Sequence, residues 1–376
     1  MPELRALDLP AGPRFVHALQ AAWEDGDAVL PIDGRLPPTA VTALLESCRP
    51  AVVVDGEGRH NRPRGRSTEP GDALVVPTSG TTGRPKGVVL THDAVRASAL
   101  ATSARLAVDP ATDHWVACLP LAHIGGLSVV TRALVSGTPC TVLERFDPDE
   151  VGRLAGSGAT LVSLVTTALR RSDVSGYRAV LLGGAAPPDR LPPNVVTTYG
   201  QTETGSGIVY DGRPLEGVEL RVGAGRIHGA EGEILVRGPM LMRAYRDGSD
   251  PRLPGGWLPT GDAGRLGPDG ALTVLGRMAE VIVTGGEKVW PAPVEDVLAH
   301  SPAVVEAAVW KRPDPEWGER VVAWVVPSDP AAPPALAELR DLVSARLAPW
   351  AAPRELVVMA VLPRTATGKL RRSLLP

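Results

Sequence analysis

Residues Pro77 to Val89 read PTSGTTGRPKGVV, a polar, glycine-rich stretch with an apolar run on each side. Such a loop can turn its backbone N–H groups inward to cradle phosphate oxygens. Gly80 and Gly83 permit positive φ and close approach to a ligand, and Thr78, Ser79, Thr81 and Thr82 add hydroxyl donors. Lys86 adds a compact positive charge. The Walker pattern fails, because Pro85 precedes Lys86 and Gly87 follows it where a hydroxyl residue is required. A flexible surface turn is the plainer reading. Lysine is scarce: of 39 basic residues only Lys86, Lys288, Lys311 and Lys369 are not arginine, and Lys86 and Lys369 both fall in polar loop stretches.

Six other stretches have residue types that suit chemistry, each with a blander alternative. In TYGQTETGSG, Glu203 stands among Thr202, Thr204 and glycines after an apolar run. A lone carboxylate there suits a Mg²⁺ that keeps several waters and shares phosphates, while Thr202 or Thr204 capping a helix is the alternative. The small residues of LLGGAAPP let a flat ring lie against backbone, or simply turn from strand to helix. Asp262 in PTGDAGRL offers two acceptors for a ribose diol, or ordinary turn chemistry. Arg277 braces a nucleotide or pairs on the surface. Lys369, in PRTATGKLRR, is a mobile charge or part of a solvated basic tail. His123, in PLAHIGGL, lines a pocket or is a satisfied structural histidine.

The elements that must carry these residues alternate. Strands are expected at Ala73–Pro77, Gly87–Leu90, His114–Leu119, Cys140–Leu143, Thr160–Val165, Ala179–Leu182 and Val195–Tyr199. Helices are expected from Thr91 or Asp93 to about Leu106, over Gly126–Ser136 and over Pro148–Ala155. Alternation of this kind predicts an α/β fold with largely parallel sheets. Beyond about Gly205, short runs broken by glycine predict a small antiparallel β unit, and the last hundred or so residues read as a compact α+β module.

Composition bounds the function. The chain has 376 residues, 44% apolar and 22% charged, with a net charge of −3, so it has the size for two domains and no general basic field for nucleic acid. No run of eighteen apolar residues predicts a membrane span, and MPELRALDLP is no signal peptide. Cys48, Cys118 and Cys140 have neither metal spacing nor a disulfide framework, and the expected compartment is the cytoplasm.

The motifs gain their meaning from their order. PTSGTTGRPKGVV, PLAHIGGL, GGAAPP, YGQTETG, PTGD, GR…GGEKVWPAPVE and PRTATGKLRR span Pro77 to Arg372, about four fifths of the chain. In that order they resemble the adenylate-forming superfamily: acyl- and aryl-CoA synthetases, luciferases and peptide-synthetase adenylation domains. TETGSGIVYDGRPLEGVELRV, and PLAHIGGL followed by TRALVSGT, are most similar to its branch of o-succinylbenzoate–CoA ligases of menaquinone synthesis. The phosphate-loop stretch begins at residue 77, earlier than in most relatives, so part of the usual N-terminal subdomain is expected to be missing or trimmed.

The resemblance implies a large N-terminal adenylation domain over 1–277, of layered αβ subdomains plus a small β unit, and a small mobile α+β domain over 278–376. It implies ATP, Mg²⁺ and coenzyme A as cofactors and a small aromatic carboxylic acid as substrate; a homodimer is compatible with it. Thr78, Ser79, Gly80, Thr81, Thr82, Gly83 and Lys86 would hold the β- and γ-phosphates. Thr202 would touch the α-phosphate, Glu203 the metal and Lys369 the reacting groups. Gly183, Gly184 and Ala185, with Tyr199, would frame adenine; Asp262 and Arg277 would hold ribose. His123, Gly205, Ser206 and Gly207 would border the acid pocket, with Arg132 as partner for a second carboxylate. The chain departs from many relatives at Ala279, where they carry a polar hinge residue. Alternatives are another aryl- or acyl-CoA ligase, a carrier-loading adenylation domain, or a non-catalytic nucleotide-binding descendant.

Overall fold

The computed structural model describes residues 1–79, 85–185, 187–188, 190–223, 231–364 and 370–376. The chain divides into two compact units: Met1–Arg221 with Leu235–Pro259, and Val222–Ile234 with Thr260–Pro376.

The first unit is built on two seven-stranded sheets. In one, the runs LRAL, AVLP and VVV form the strands Leu4–Leu7, Ala28–Pro31 and Val52–Val54, and the central strand Leu4–Leu7 pairs in parallel with both others. Ala28–Pro31 is buried throughout, as a parallel strand covered on both faces must be. The sheet continues through Asp72–Ser79, Pro85–Thr91 and the two-residue strand Ala244–Tyr245. Asp72–Ser79 and Pro85–Thr91 pair antiparallel, so the described ends of PTSGTTGRPKGVV lie on two paired strands.

The other sheet has a parallel middle. Cys140–Val142, Trp115–Ala117, Leu161–Val165, Ala179–Gly183 and Val195–Gln201 lie side by side, and Ser206–Tyr210 returns antiparallel on the last of them. Helix Ile124–Ser136 connects two of these strands and packs against helix His92–Arg105. Thr91, rather than Asp93, caps the latter: its Oγ1 accepts the Ala94 N–H at 3.1 Å, a bond worth about 1 kcal/mol. The expected order of strand and helix holds through this region.

The small β unit forms a four-stranded sheet in the order Glu219–Val222, Glu231–Arg237, Leu258–Leu266 and Leu272–Arg277. In the second unit the strands Val304–Asp314 and Gly318–Pro327 make a long hairpin. Asp314 closes it by accepting the N–H groups of Glu316 and Trp317, both at 3.0 Å. Ile282–Thr284 and Glu355–Val358 flank the hairpin, and helices Pro291–Leu298 and Leu336–Ser344 bury Val294, Leu298, Leu339 and Val343 in one core with Val309 and Val321. Among the described residues no helix is long and apolar enough to cross a membrane.

Candidate active site

The phosphate-loop hairpin sets Thr78 opposite Lys86 and Ser79 opposite Pro85. Gly80, Thr81, Thr82 and Gly83 lie outside the described residues, so the structure gives the base of this loop and not its tip. Gly87 is required by packing: a Cβ there would sit 2.6 Å from Val75 Cγ1 and 3.1 Å from Cβ of Arg246. That close approach lets Arg246 N donate to Gly87 O at 2.7 Å and seats Ala244–Tyr245 on the loop's second strand, with Tyr245 opposite Val88.

Glu203 comes from the other sheet. Val195–Gln201 ends in the single 3₁₀ turn Thr202–Thr204. Neither threonine is the cap that the plainer reading expected. Gln201 holds that position, and Thr204 Oγ1 accepts the Gln201 N–H at 2.8 Å and lies 2.7 Å from Ser206 O. The turn leaves Glu203 facing Tyr245, whose hydroxyl donates to Oε1 at 3.0 Å. Met242 N donates to the Glu203 carbonyl at 2.8 Å. The Lys86 ammonium lies 4.7 Å from the centroid of the same tyrosine ring. Phosphate-loop lysine and lone carboxylate thus converge on Tyr245, which sequence reasoning missed. Residue 245 is far from 86 and 203 along the chain, and only the sheet edge brings the three together.

The metal reading fits this arrangement. Among the described residues, the second Glu203 carboxylate oxygen has no protein partner and no group of three metal-ligating side chains occurs. One carboxylate plus substrate phosphates and water is how Mg²⁺ is commonly held.

Gly183 and Gly184 sit at the C-terminal end of Ala179–Gly183, next to the strand carrying Tyr199. Thr198 Oγ1 donates to Leu182 O at 3.1 Å and closes the space behind Gly183. Ala185 is exposed beside them. Ligands bind at such strand ends in open α/β sheets. In the second unit, Asp262 and Arg277 are cross-strand partners, with Arg277 Nε 3.0 Å from Asp262 Oδ1. The aspartate is nearly buried while the arginine reaches solvent, with Arg277 Nη1 3.5 Å from Thr260 O.

His123 stands at the N-terminal end of helix Ile124–Ser136. Its Nε2 lies 3.5 Å from Asp33 Oδ2 and 3.5 Å from Arg35 Nη2. Arg35 grips Asp33 with two hydrogen bonds of 2.8 and 2.7 Å, which hold the Asp33 carboxyl below the usual aspartate range. Asp33 and Arg35 were also missed, because PIDGRLPP carries no chemical pattern of its own.

Gly205 ends the 3₁₀ turn at φ 69°, and a Cβ there would stand 3.0 Å from Met240 O. Ser206 takes a φ of 152° and donates from Oγ to Ser128 Oγ at 3.1 Å. Gly207 packs on Thr198. A narrow cavity runs beside them, lined by Val95, Ser98, Ile124, Ser128, Thr131 and Gly205. Arg132 is 2% exposed on the same helix; its guanidinium lies 4.9 Å over the Trp115 ring, and Nε and Nη1 have no hydrogen-bond partner. Lys369 lies outside the described residues.

The family model of AMP-binding enzymes matches residues 55–246, and that of the AMP-binding enzyme C-terminal domain matches 293–369. The chain belongs to the AMP-binding enzyme family. A family member from Mycobacterium tuberculosis strain H37Rv, named "Probable 2-succinylbenzoate--CoA ligase", is 39% identical over 99% of this chain and 97% of its own length. The o-succinylbenzoate CoA synthetase from Bacillus subtilis, solved with the acyl-adenylate intermediate, superposes with a TM-score of 0.86 at 28% identity, covering 99% of this chain and 87% of that one. The same Bacillus enzyme solved with ATP and magnesium gives 0.85 at 29% identity, covering 99% and 89%. The match to the AMP-binding model includes Thr78, Lys86, Glu203 and Tyr245, and the match to the C-terminal model ends at Lys369. The cysteines lie outside this chemistry: burial pushes the Cys48 thiol up to about 11 and those of Cys118 and Cys140 to about 12, so none is a ready thiolate nucleophile.

Proposed function

We propose that this chain is an ATP-dependent acid–CoA ligase that activates o-succinylbenzoate as its acyl-adenylate and passes the acyl group to coenzyme A. The observation that carries the reaction class is the meeting of Lys86 and Glu203 on Tyr245, at the junction of the phosphate-loop hairpin and the TET turn. The choice of acid is supported by the names of the relatives over nearly the whole chain.

In the first half-reaction the substrate carboxylate attacks the α-phosphorus in line and expels pyrophosphate. Two anions must approach, so positive charge at the transition state is the main requirement. Residues 78–83 with Lys86 hold the β- and γ-phosphates, Thr202 faces the α-phosphate, and Glu203 would hold a Mg²⁺. That ion would neutralise phosphate charge. Gly183, Gly184, Ala185 and Tyr199 frame the base, and Asp262 with Arg277 binds the ribose diol. Lys369 supplies the ammonium at the reacting oxygens. His123 and Gly205–Gly207 border the acid, and Arg132 receives its second carboxylate.

In the second half-reaction the thiol of coenzyme A attacks the acyl-adenylate carbonyl and expels AMP. The domain from residue 278 onward turns about Ala279 and exchanges the Lys369 loop for the face bearing GGEKVW. A small residue absorbs such a φ/ψ change readily. No step calls for a protein nucleophile or a second chain, and a homodimer is compatible with the scheme. The cytoplasm, where ATP and coenzyme A are available, is the proposed location.

The test is a thioester assay with ATP and coenzyme A against o-succinylbenzoate, benzoate and medium-chain fatty acids. Strong preference for o-succinylbenzoate is expected; preference for a fatty acid overturns the substrate and leaves the reaction class. Lys369→Ala should slow adenylation by about 10²–10³ and slow thiol attack on preformed acyl-adenylate much less. Equal losses in both steps would remove Lys369 from its assigned role.

A further inference from the structure

Tyr245 is anchored on both sides by backbone. Met242 N donates to Glu203 O, Arg243 N to Val89 O and Arg246 N to Gly87 O, at 2.8, 2.9 and 2.7 Å, and Tyr245 N donates to Ser249 O at 2.8 Å. The phenol is therefore placed by both sheets, with little freedom to follow its neighbours. Those neighbours carry opposite charges, yet Lys86 and Glu203 make no ion pair with each other: the ammonium lies over the ring face and the carboxylate takes the hydroxyl. A half-buried ammonium and carboxylate attract strongly, and a direct pair would use up both. The aromatic face holds a cation without neutralising it. A hydroxyl occupies one carboxylate oxygen and leaves the other.

The other acid facing Lys86 is already engaged. Asp247 accepts from Ser249 Oγ at 2.6 Å and from Ser249 N at 2.9 Å. These bonds, with a smaller part from the Lys86 charge, hold it below the usual aspartate range.

We propose that Tyr245 is a positioning residue that keeps Lys86 and Glu203 apart and aimed, so that the triphosphate meets an unneutralised ammonium and a divalent cation meets a carboxylate with one oxygen in hand. This rests on the reading that Lys86 and Glu203 serve the nucleotide and its metal. Tyr245→Phe keeps the ring under Lys86 and removes only the hydroxyl; Tyr245→Leu removes both contacts.

The experiment is calorimetric binding of ATP, in EDTA and across a Mg²⁺ series, with thermal unfolding of each variant alongside. Tyr245→Phe should raise the Mg²⁺ concentration for half-maximal enhancement of ATP binding by about tenfold, the scale of losing a hydrogen bond to a charged group. Affinity in EDTA should stay within about twofold, since the cation–ring contact survives. Tyr245→Leu should weaken ATP binding in EDTA as well. An unchanged Mg²⁺ midpoint in Tyr245→Phe overturns the proposal, and so does equal weakening with and without Mg²⁺ together with a lower unfolding temperature, which is a merely structural role. Lys86→Ala and Glu203→Gln separate the two levels. If they bind ATP and Mg²⁺ as the parent does, the nucleotide-site reading falls; if they fail to and Tyr245→Phe does not change, only the role of Tyr245 falls.

Discussion

Two buried arginines of the first unit are treated in opposite ways. Arg246, 6% exposed, spends its guanidinium on backbone: Nε donates to Cys48 O and Nη1 to Ser67 O, both at 2.9 Å, and Nη2 donates to Arg66 O. It ties the turn after the strand Ala244–Tyr245 to the segments at residues 48 and 66–67. Arg132 is buried more deeply, has Trp115 under it, and leaves Nε and Nη1 without partners. Burial lowers the pKa of both, but a guanidinium stays charged in proteins. One cation builds the fold; the other is buried over an indole ring with part of its hydrogen-bonding capacity unmet, a cost that folding does not require. That unmet charge is the observation behind the proposal that Arg132 receives the second carboxylate of the acid.

Stability measurements should separate the two most clearly. Arg246→Met leaves the buried Cys48 carbonyl without its donor and frees those of Arg66 and Ser67, which lie on exposed residues. At about 1–3 kcal/mol for a buried unmet group, a loss of that size is expected in urea unfolding. Arg132→Met removes an unpaired charge in favour of an apolar side chain of similar size, which is commonly neutral or stabilising. Equal destabilisation by the two substitutions would break the comparison. Function should then reverse the ranking. With Arg132→Met, the preference for o-succinylbenzoate over benzoate in kcat/KM should fall by about 10–100-fold, the scale of a charged hydrogen bond, with kcat on benzoate little changed. Retained discrimination would assign the second carboxylate to another group.

The smallest effect is expected from an exposed counterpart. Arg35 reaches solvent while gripping the nearly buried Asp33, and its hydrogen bonds lower the Asp33 pKa. A carboxyl whose pKa is lower in the folded than in the unfolded chain contributes stability above the ordinary aspartate range. That contribution is lost as pH falls through the lower folded value. Asp33→Asn should therefore flatten the acid limb of stability against pH by less than about 1 kcal/mol, given the exposure of its partner. A steeper acid limb in the variant would invert the assignment.

How far the site was legible depended on whether its parts are local. The TET turn, the glycine pair after Leu182 and the phosphate-loop hairpin are each made by neighbouring residues, and their types alone announce the turn and the donors. The places of the strands followed from the same local rules, but their ends did not, as Ala73–Pro77 was expected and Asp72–Ser79 is formed. The choice of Thr91 over Asp93 as the cap came only from the structure. Tyr245 carried no such mark, being one tyrosine of four in the sequence. Asp33 and Arg35 were equally silent, because their meaning comes from a histidine 88 or more residues away in the chain. Arg132 was legible as a candidate cation, but its lack of hydrogen-bond partners was not, since burial belongs to the packed helix and not to the residue.

The sequence by itself determined the α/β alternation, the order of the loops and the chemical types each loop offers, because backbone preferences and turn chemistry act over a few residues. Only the tertiary structure decided which loops share a side chain, which cations are satisfied and which are held in reserve. Those outcomes depend on sheet register and on exclusion of water, and both are set by residues far apart along the chain.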